Sequence, residues 1–356
     1  MPVILFEAGG RARKLDLKPL ADEKLLQKYV AESPSGLPFE DIEEDVRLAV
    51  IGKEFPAGNG FIDALGVDQA GALYLIETKL YRGTDNRRVL AQVLDYGAGL
   101  WNDHRNRSDF LASLDENAVR TLKRSARQEI ANQFELTPEE ADSLLENAAQ
   151  NIINGRFNFI VLMDHIDENL KNLITFVNAN TVFTIYGVEF EFYGIDEEST
   201  LAIPRLHGAE TPKSTARPGG GPIADETFFE QAANAVSPEI VSGLRALYRF
   251  SVIEADVVTW GRGPIGSFNP KFTAVSPKSL YTVYSDGRLY VNFDWLGRTE
   301  AGRMAVDILA HGLRAMGCEL PGDFRERFIR LGAAWWVPRI EELKRVLQSA
   351  GAIVPK

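Results

Sequence analysis

The chain has 356 residues, of which 45% are hydrophobic and 25% charged, and its formal net charge is −11. This composition is typical of soluble globular proteins, and the length favours two domains over one or three. With a single cysteine, the chain can form no internal disulfide and no zinc site built from several thiolates. The acidic balance disfavours an indiscriminate nucleic-acid binder, although only the local field at a cleft has to be positive for binding.

Targeting and membrane segments are not expected. The N-terminal stretch places its short apolar run before its basic residues, the reverse of the order in a secretory signal. No segment approaches the roughly 18–20 uninterrupted apolar residues of a membrane span. We therefore expect a cytoplasmic protein that does not associate with membranes.

Residues 1–196 are predicted to form an α/β domain with a mixed central sheet flanked by helices. In chain order, the predicted elements are a helix around Leu20 to Val30, a strand around Val46 to Ile51, strands at FIDALGV and ALYLIETKL, a helix from about Asn86 to Leu100, a helical stretch near 115–155, a strand at FNFIVLM, a helix at DENLKNLITFVNAN and a strand at VEFEFYG. The TPEE sequence inside the helical stretch predicts a capped helix start.

The second part of the chain is predicted to be a separate, small α+β domain. Residues 197–222 are rich in Pro, Gly, Ser and Thr and lack regular periodicity, which indicates a flexible linker. In residues 223–356, the pattern predicts a helix over Thr227 to Phe250, a hairpin that turns at Asp286-Gly287, and a last helix near Arg339 to Ala350. The role of this domain stays open, and contact with a second copy or with a protein partner is one option.

The residues that indicate chemistry lie in the segment GNGFIDALGVDQAGALYLIETKL. Because side chains alternate along a strand, Glu77 and Lys79 share one face of an otherwise apolar strand. Burial of either charge alone is costly, so the two side chains need partners or a metal. Asp63 belongs to the preceding strand and is expected to come back beside them. Two carboxylates and a lysine at a sheet edge predict a site for Mg²⁺, which prefers oxygen ligands.

The ordered set of polar residues resembles a known superfamily of nucleases. Asp63 followed by Glu77-Thr78-Lys79 is similar to the motif of the PD-(D/E)xK, or restriction-endonuclease-like, superfamily, with Ile62 where the motif has proline. Gln92 and Tyr96, four residues apart on the next predicted helix, match the QxxxY element of the RecB-like and NucS-like branches. Glu23 stands at the acidic position of their first helix. The resemblance covers roughly residues 15–195, and the helical stretch near 115–155 looks like an insertion.

The resemblance implies metal-dependent hydrolysis of DNA phosphodiester bonds, with RNA as a further possible substrate. Asp63 and Glu77 are then expected to hold Mg²⁺ or Mn²⁺, with Glu23 contributing through water. Lys79 is expected to orient or deprotonate the attacking water and to offset charge on the phosphate. Gln92 and Tyr96 are expected to support the site or to contact substrate.

Other interpretations of the same residues stay open at this point. Glu77 and Lys79 can form a structural ion pair, with Asp63 as a turn residue, and the domain is then a catalytically silent module for nucleic-acid binding or assembly. An unrelated metal-dependent hydrolase of small phosphoesters is the third interpretation. Arg82, Arg87 and Arg88 are candidate phosphate contacts or simply solvated charges. The same two interpretations apply to the basic cluster of residues 120–127.

Overall fold

A computed structural model of the chain describes residues 3–6, 10, 12–20, 22–32, 37–38, 46–82, 86–181, 183–196, 199–209, 225–261 and 265–353. The described residues divide into two compact units, an N-terminal unit that ends at residue 209 and a C-terminal unit that begins at residue 225. Among the helices of the described residues, none combines the length and hydropathy needed to span a bilayer.

The N-terminal unit contains a six-stranded mixed sheet with helices on both faces. Its elements are β1 (Val3–Phe6), β2 (Ala12–Leu15), α1 (Lys24–Glu32), β3 (Leu48–Ala57), β4 (Gly60–Asp68), β5 (Leu73–Lys79), α2 (Asn86–Asp103), α3 (Arg107–Leu122), α4 (Ala126–Phe134), α5 (Pro138–Ile153), β6 (Phe157–Met163), α6 (Glu168–Asn180), β7 (Ile185–Gly194) and β8 (Thr200–His207). The strand order is β3-β4-β5-β6-β7-β8. Strands β3, β4 and β5 are antiparallel, β5, β6 and β7 are parallel, and β8 is antiparallel to β7.

Alternating residues of the central strands supply two separate cores. Leu75 belongs to the core on the face of helices α2 to α6, whereas its neighbour Ile76 belongs to the core that contains Leu26 and Val30 of α1. Strand β5 therefore has apolar neighbours on both faces, as its near-continuous apolar sequence predicts. The sheet places the ends of β4 and β5 next to each other, and it is there that the polar motif residues lie.

The predicted elements of this unit are present, with four differences, of which the first is the two-stranded sheet of β1 and β2, which was not predicted. Helix α1 begins at Lys24, not at Leu20, because the Asp22 carboxylate accepts a hydrogen bond from the Lys24 backbone N–H and caps the helix there. The helical stretch near 115–155 forms three helices, and α5 begins with the predicted capping box of Thr137 and Glu140. The linker prediction is wrong for Thr200–His207, which forms edge strand β8. The rest of that linker, from residue 210 to 222, lies outside the described residues.

The C-terminal unit combines a five-stranded antiparallel sheet with helices. Its elements are α7 (Asp225–Ala235), α8 (Pro238–Glu254), β9 (Val257–Trp260), β10 (Ser267–Lys271), β11 (Tyr281–Tyr284), β12 (Leu289–Val291), α9 (Phe293–Leu296), α10 (Glu300–Ala315), β13 (Ile329–Leu331), α11 (Ala333–Trp336) and α12 (Ile340–Gly351). The single helix predicted over Thr227 to Phe250 is two helices, because Ser237-Pro238 starts a new one. The predicted hairpin is confirmed, with Gly287 at φ 87° in its turn.

Candidate active site

Glu77 is the central residue of the polar cluster at the end of β5. The side chain is only 2% exposed, although a carboxylate is rarely buried without partners. Its Oε1 lies 2.7 Å from Lys79 Nζ and accepts a hydrogen bond of 2.7 Å from Gln92 Nε2. Its Oε2 is buried and has no hydrogen-bond partner among the described residues. One oxygen of this buried carboxylate is therefore fully engaged and the other is left without a partner.

The electrostatics of Glu77 and Lys79 follow from burial and close charges. Burial raises the pKa of Glu77, the nearby Asp63 carboxylate raises it further, and the hydrogen bond from Lys79 only partly offsets this, so the pKa is about 7. For Lys79, burial alone would lower the pKa, but the contacts with Glu77, Glu23 and Asp63 raise it above its usual value. The cluster thus holds more negative charge than the Lys79 ammonium neutralises.

Asp63 occupies the position on β4 where the ladder between β4 and β5 ends, one residue before the Ala64–Ile76 pair. Its Oδ2 accepts hydrogen bonds from the backbone N–H of Thr78 at 2.8 Å and from the Thr78 hydroxyl at 2.7 Å. Its Oδ1 accepts a bond of 3.0 Å from Gln27 Nε2 on α1. Three hydrogen bonds leave room for one further partner, because a carboxylate offers about four acceptor positions. Asp63 lies inside a strand, so the interpretation of it as a turn residue is wrong.

Helix α2 supplies the residues that orient Glu77. Gln92 and Tyr96 are one helical turn apart, and Gln92 Nε2 lies 2.6 Å from the Tyr96 hydroxyl as well as beside Glu77. Tyr96 in turn rests on the β3–β4 hairpin, where a Cβ at Gly60 would come within 2.7 Å of its ring. Burial raises the pKa of Tyr96, so it stays a neutral hydrogen-bonding group. The side chains of α2 thus connect the hairpin to the Glu77 carboxylate.

Glu23 reaches the cluster from the residue just before α1. Its Oε1 lies 3.4 Å from Lys79 Nζ, and its side chain is 33% exposed. Lys79 therefore bridges a buried carboxylate and a half-exposed one. The structure brings together all six residues that the sequence assigned to the site, namely Glu23, Asp63, Glu77, Lys79, Gln92 and Tyr96.

A divalent cation fits this arrangement on chemical grounds. Within the described residues, no group of three or more His, Cys, Asp or Glu side chains is close enough to hold a metal by itself. Mg²⁺ does not require such a group, because it commonly binds one or two carboxylates and keeps several waters. Glu77 offers a buried oxygen without a partner, Asp63 offers one free acceptor position, and their mutual repulsion raises the pKa of Glu77. A cation beside them would satisfy the oxygen and relieve the repulsion.

The three arginines proposed as phosphate contacts lie on the exposed surface. Arg82 follows β5, and Arg87 and Arg88 are in the first turn of α2. None of the three lines the cleft of about 450 Å³ beside Asp63, whose lining includes Lys24 and Thr121. Both interpretations of the three arginines therefore stay predictions.

Two residues that hold Asp63 were missed from the sequence. Gln27 is four residues after Glu23, so the two side chains point to the same side at the start of α1, and Gln27 bonds to Asp63. Gln92 and Tyr96 have the same spacing on α2. Thr78 lies between the two charged motif residues, and both its backbone N–H and its hydroxyl bond to Asp63. The helical spacing was a usable signal for Gln27, whereas the contact of Thr78 depends on how β4 and β5 are paired.

A second buried carboxylate lies at the same end of the central strands. Glu189 of β7 is 6% exposed and pairs in register with Met163, the last residue of β6. Burial alone would raise the pKa of Glu189, but hydrogen bonds from His207, from the backbone N–H of Ile166 and from His165 lower it to about 2. Unlike Glu77, it has partners on both oxygens. Glu77 therefore differs from Glu189 in having one buried oxygen without a hydrogen-bond partner among the described residues.

No protein-family model, no curated protein and no solved structure matches the chain. The geometry of the N-terminal unit and the order of its motif residues therefore carry the functional argument.

Proposed function

We propose that the N-terminal unit is a metal-dependent nuclease that hydrolyses phosphodiester bonds, with DNA as its substrate. The observation that carries this proposal is the Glu77 carboxylate, buried beside Asp63 with one oxygen that has no partner. Leaving such an oxygen unsatisfied costs about 1–3 kcal/mol or more for a charged group. A metal ligand would regain that cost when the metal binds, which supports a metal site at Glu77.

The order of the elements supports membership of the restriction-endonuclease-like fold. A helix, three antiparallel strands and a second helix follow one another as α1, β3, β4, β5 and α2, and after the three helices α3 to α5 comes β6, which is parallel to β5. Asp63 and Glu77 lie on neighbouring strands, and Gln92 and Tyr96 lie on the helix that follows. These are the elements on which the PD-(D/E)xK resemblance requires them.

Each motif residue has a definite role in the proposed reaction. Asp63 and Glu77 would hold Mg²⁺ or Mn²⁺, with Glu23 contributing through a water molecule. The bound metal would supply polarisation of a phosphoryl oxygen and a lower pKa of its water. The Lys79 amine orients the attacking water and offsets the charge that develops on the phosphate. Gln92 fixes the orientation of Glu77 through its hydrogen bond, and Tyr96 fixes Gln92.

The first test of this function is cleavage by the purified full chain. Labelled single-stranded, duplex and flap DNA, together with a single-stranded RNA, is incubated with Mg²⁺, with Mn²⁺ or with EDTA. We expect cleavage that requires the metal and is lost in Glu77→Gln, which keeps the shape of the side chain but removes its charge. Glu116→Gln is the matched control, because Glu116 is an exposed glutamate of α3 outside the motif. Turnover of small phosphoesters without cleavage of any polynucleotide would contradict the proposal in favour of a different hydrolase.

A catalytically silent nuclease-like module is the second candidate, and one observation favours it. Three hydrogen bonds from Gln27 and Thr78 hold the Asp63 carboxylate. A network of this kind is able to serve a purely structural or binding role.

Metal binding separates the two candidates without any assay of activity. We expect the full chain to bind Mn²⁺ in isothermal titration calorimetry, with the affinity reduced at least about tenfold in Asp63→Asn, because a metal site depends on each of its few charged ligands. Asp68→Asn is not a suitable control, since Asp68 is buried and bonds three neighbours. Asp95→Asn is better, because Asp95 is exposed on α2. Equal affinity of Asp63→Asn and wild type would favour the silent module.

A further inference from the structure

A cleft of about 450 Å³ opens on the Asp63 side of the candidate active site. Its walls come from α1, from β3 and β4, and from the end of α3, and both Asp63 and Thr78 line it. The volume falls within the range of about 300–1000 Å³ that is usual for ligand pockets. The cleft therefore opens next to Asp63, a carboxylate proposed to hold the metal, and it is large enough to hold a ligand.

Three lysines line this cleft in an otherwise acidic chain. Lys24 and Lys28 are one turn apart on α1 and so share a face of that helix, and Lys53 approaches from β3 on the other wall. The acidic residues of the lining are Glu54 and Asp63. The three lysines outnumber these two carboxylates, so the lining carries a net positive formal charge without any metal, and a locally positive cleft attracts a polyanion despite a net charge of −11.

The cleft leads to the basic cluster of residues 120–127. Thr121, next to last in α3, lines the cleft, and Arg120 and Lys123 on either side of it are exposed. Arg124 and Arg127 of the same cluster are engaged in ion pairs with Glu129 and Asp142. Positive charge therefore continues from the lysines of the cleft to the surface at the end of α3. This path is separate from the first turn of α2, where Arg87 and Arg88 lie.

We propose that this cleft binds the sugar-phosphate backbone of a nucleic-acid strand as it leaves the candidate active site. Lys24, Lys28 and Lys53 contact phosphates next to the one that is cleaved at the candidate active site, and the strand continues past Thr121. The ammonium groups recognise phosphate charge and not base sequence, so the cleft positions the strand without selecting a sequence. The inference rests on the proposed nuclease function, because it takes the strand to start from that site.

The test compares two triple variants of the full chain that lose the same charge. Lys24→Gln, Lys28→Gln and Lys53→Gln are combined in the cleft variant, and Lys14→Gln, Lys18→Gln and Lys171→Gln in the control, whose lysines do not line the cleft. Binding of a labelled single-stranded oligonucleotide is measured by fluorescence anisotropy in EDTA at several salt concentrations. At about 0.1 M salt, we expect the cleft variant to bind at least about tenfold more weakly than wild type. Three lost phosphate contacts also reduce the salt slope by about 2, whereas the control keeps the slope of wild type.

Each other outcome identifies what has failed. Equal weakening in both variants, or no binding by wild type, overturns the cleft as the path of the strand. A free nucleoside monophosphate that displaces the oligonucleotide at equal concentration also overturns it, because the cleft then takes one nucleotide and not a strand. The cleavage assay with Mg²⁺ is independent of these results. Binding that depends on the cleft lysines, without any cleavage, would uphold the cleft and count against the nuclease function.

Discussion

Replacing Lys79 by methionine is expected to reduce DNA cleavage by about 10²–10³-fold or more, the usual cost of removing a donor that stabilises developing charge. Lys79 Nζ lies 2.7 Å from Glu77 and 3.4 Å from Glu23, so it is the one motif cation among the site's carboxylates. Methionine keeps most of the apolar stem while it removes the ammonium group. The measurement is the single-turnover cleavage rate at saturating Mg²⁺ and excess protein, which separates the chemical step from binding.

Two further variants make the Lys79 result specific. Lys79→Arg is expected to recover little activity, because a planar guanidinium does not replace a compact ammonium in a site that is already filled. Lys171→Met is the matched control, since Lys171 forms an ion pair with the exposed Glu168 on α6. Thermal unfolding of each variant checks that the fold is intact. Cleavage at the wild-type rate by a well-folded Lys79→Met protein would remove Lys79 from the proposed mechanism.

The sequence predicts those parts of the site that depend on local periodicity. Alternation along β5 places Glu77 and Lys79 together, and helical spacing places Gln92 and Tyr96 together. Their hydrogen bonds and ion pair are present in the structure. These contacts were predictable because both members lie on one element, whose geometry fixes which side chains are neighbours.

Contacts between elements were not predictable to the same extent. The hydrogen bond of Gln27 to Asp63 depends on how α1 packs against β3 and β4, and so does the cleft lined by the lysines. The periodicity of one helix or strand does not predict how it packs against another. Strand β8 was missed because its sequence shows no alternation of apolar and polar residues. This agrees with its place in the structure, where nearly all of its residues are half-buried on both faces. Its Pro204 also disfavours a strand, but it is tolerated at the edge of a sheet.

The position of Asp63 relative to Glu77 depends on a second set of contacts, between α2 and the β3–β4 hairpin. The hairpin turn approaches the C-terminal part of α2 so closely that a Cβ at Gly99 would lie 2.5 Å from the backbone nitrogen of Gly58. The N–H of Gly58 is bonded to the Asp103 carboxylate near the end of the same helix. The hairpin carries Asp63 and the helix carries Gln92, so this close approach helps to set the geometry of the site.

Gly99→Ala is therefore expected to destabilise the N-terminal unit by about 2–4 kcal/mol, because backbone atoms of the hairpin must move to admit the new methyl group. Helix propensity alone predicts the opposite sign, a gain of about 1 kcal/mol for alanine over glycine inside a helix. Thermal unfolding measures the difference, and a fall of about 5–15 °C in the transition is expected. Gly194→Ala is the matched control, since a Cβ there meets nothing within 4 Å.

A rise in the melting temperature of Gly99→Ala would show that the hairpin is not held against α2 at this point. The position of Asp63 would then not depend on this contact. A loss of both stability and cleavage in Gly99→Ala, with Gly194→Ala unchanged, would connect the packing of the hairpin to the geometry of the carboxylates.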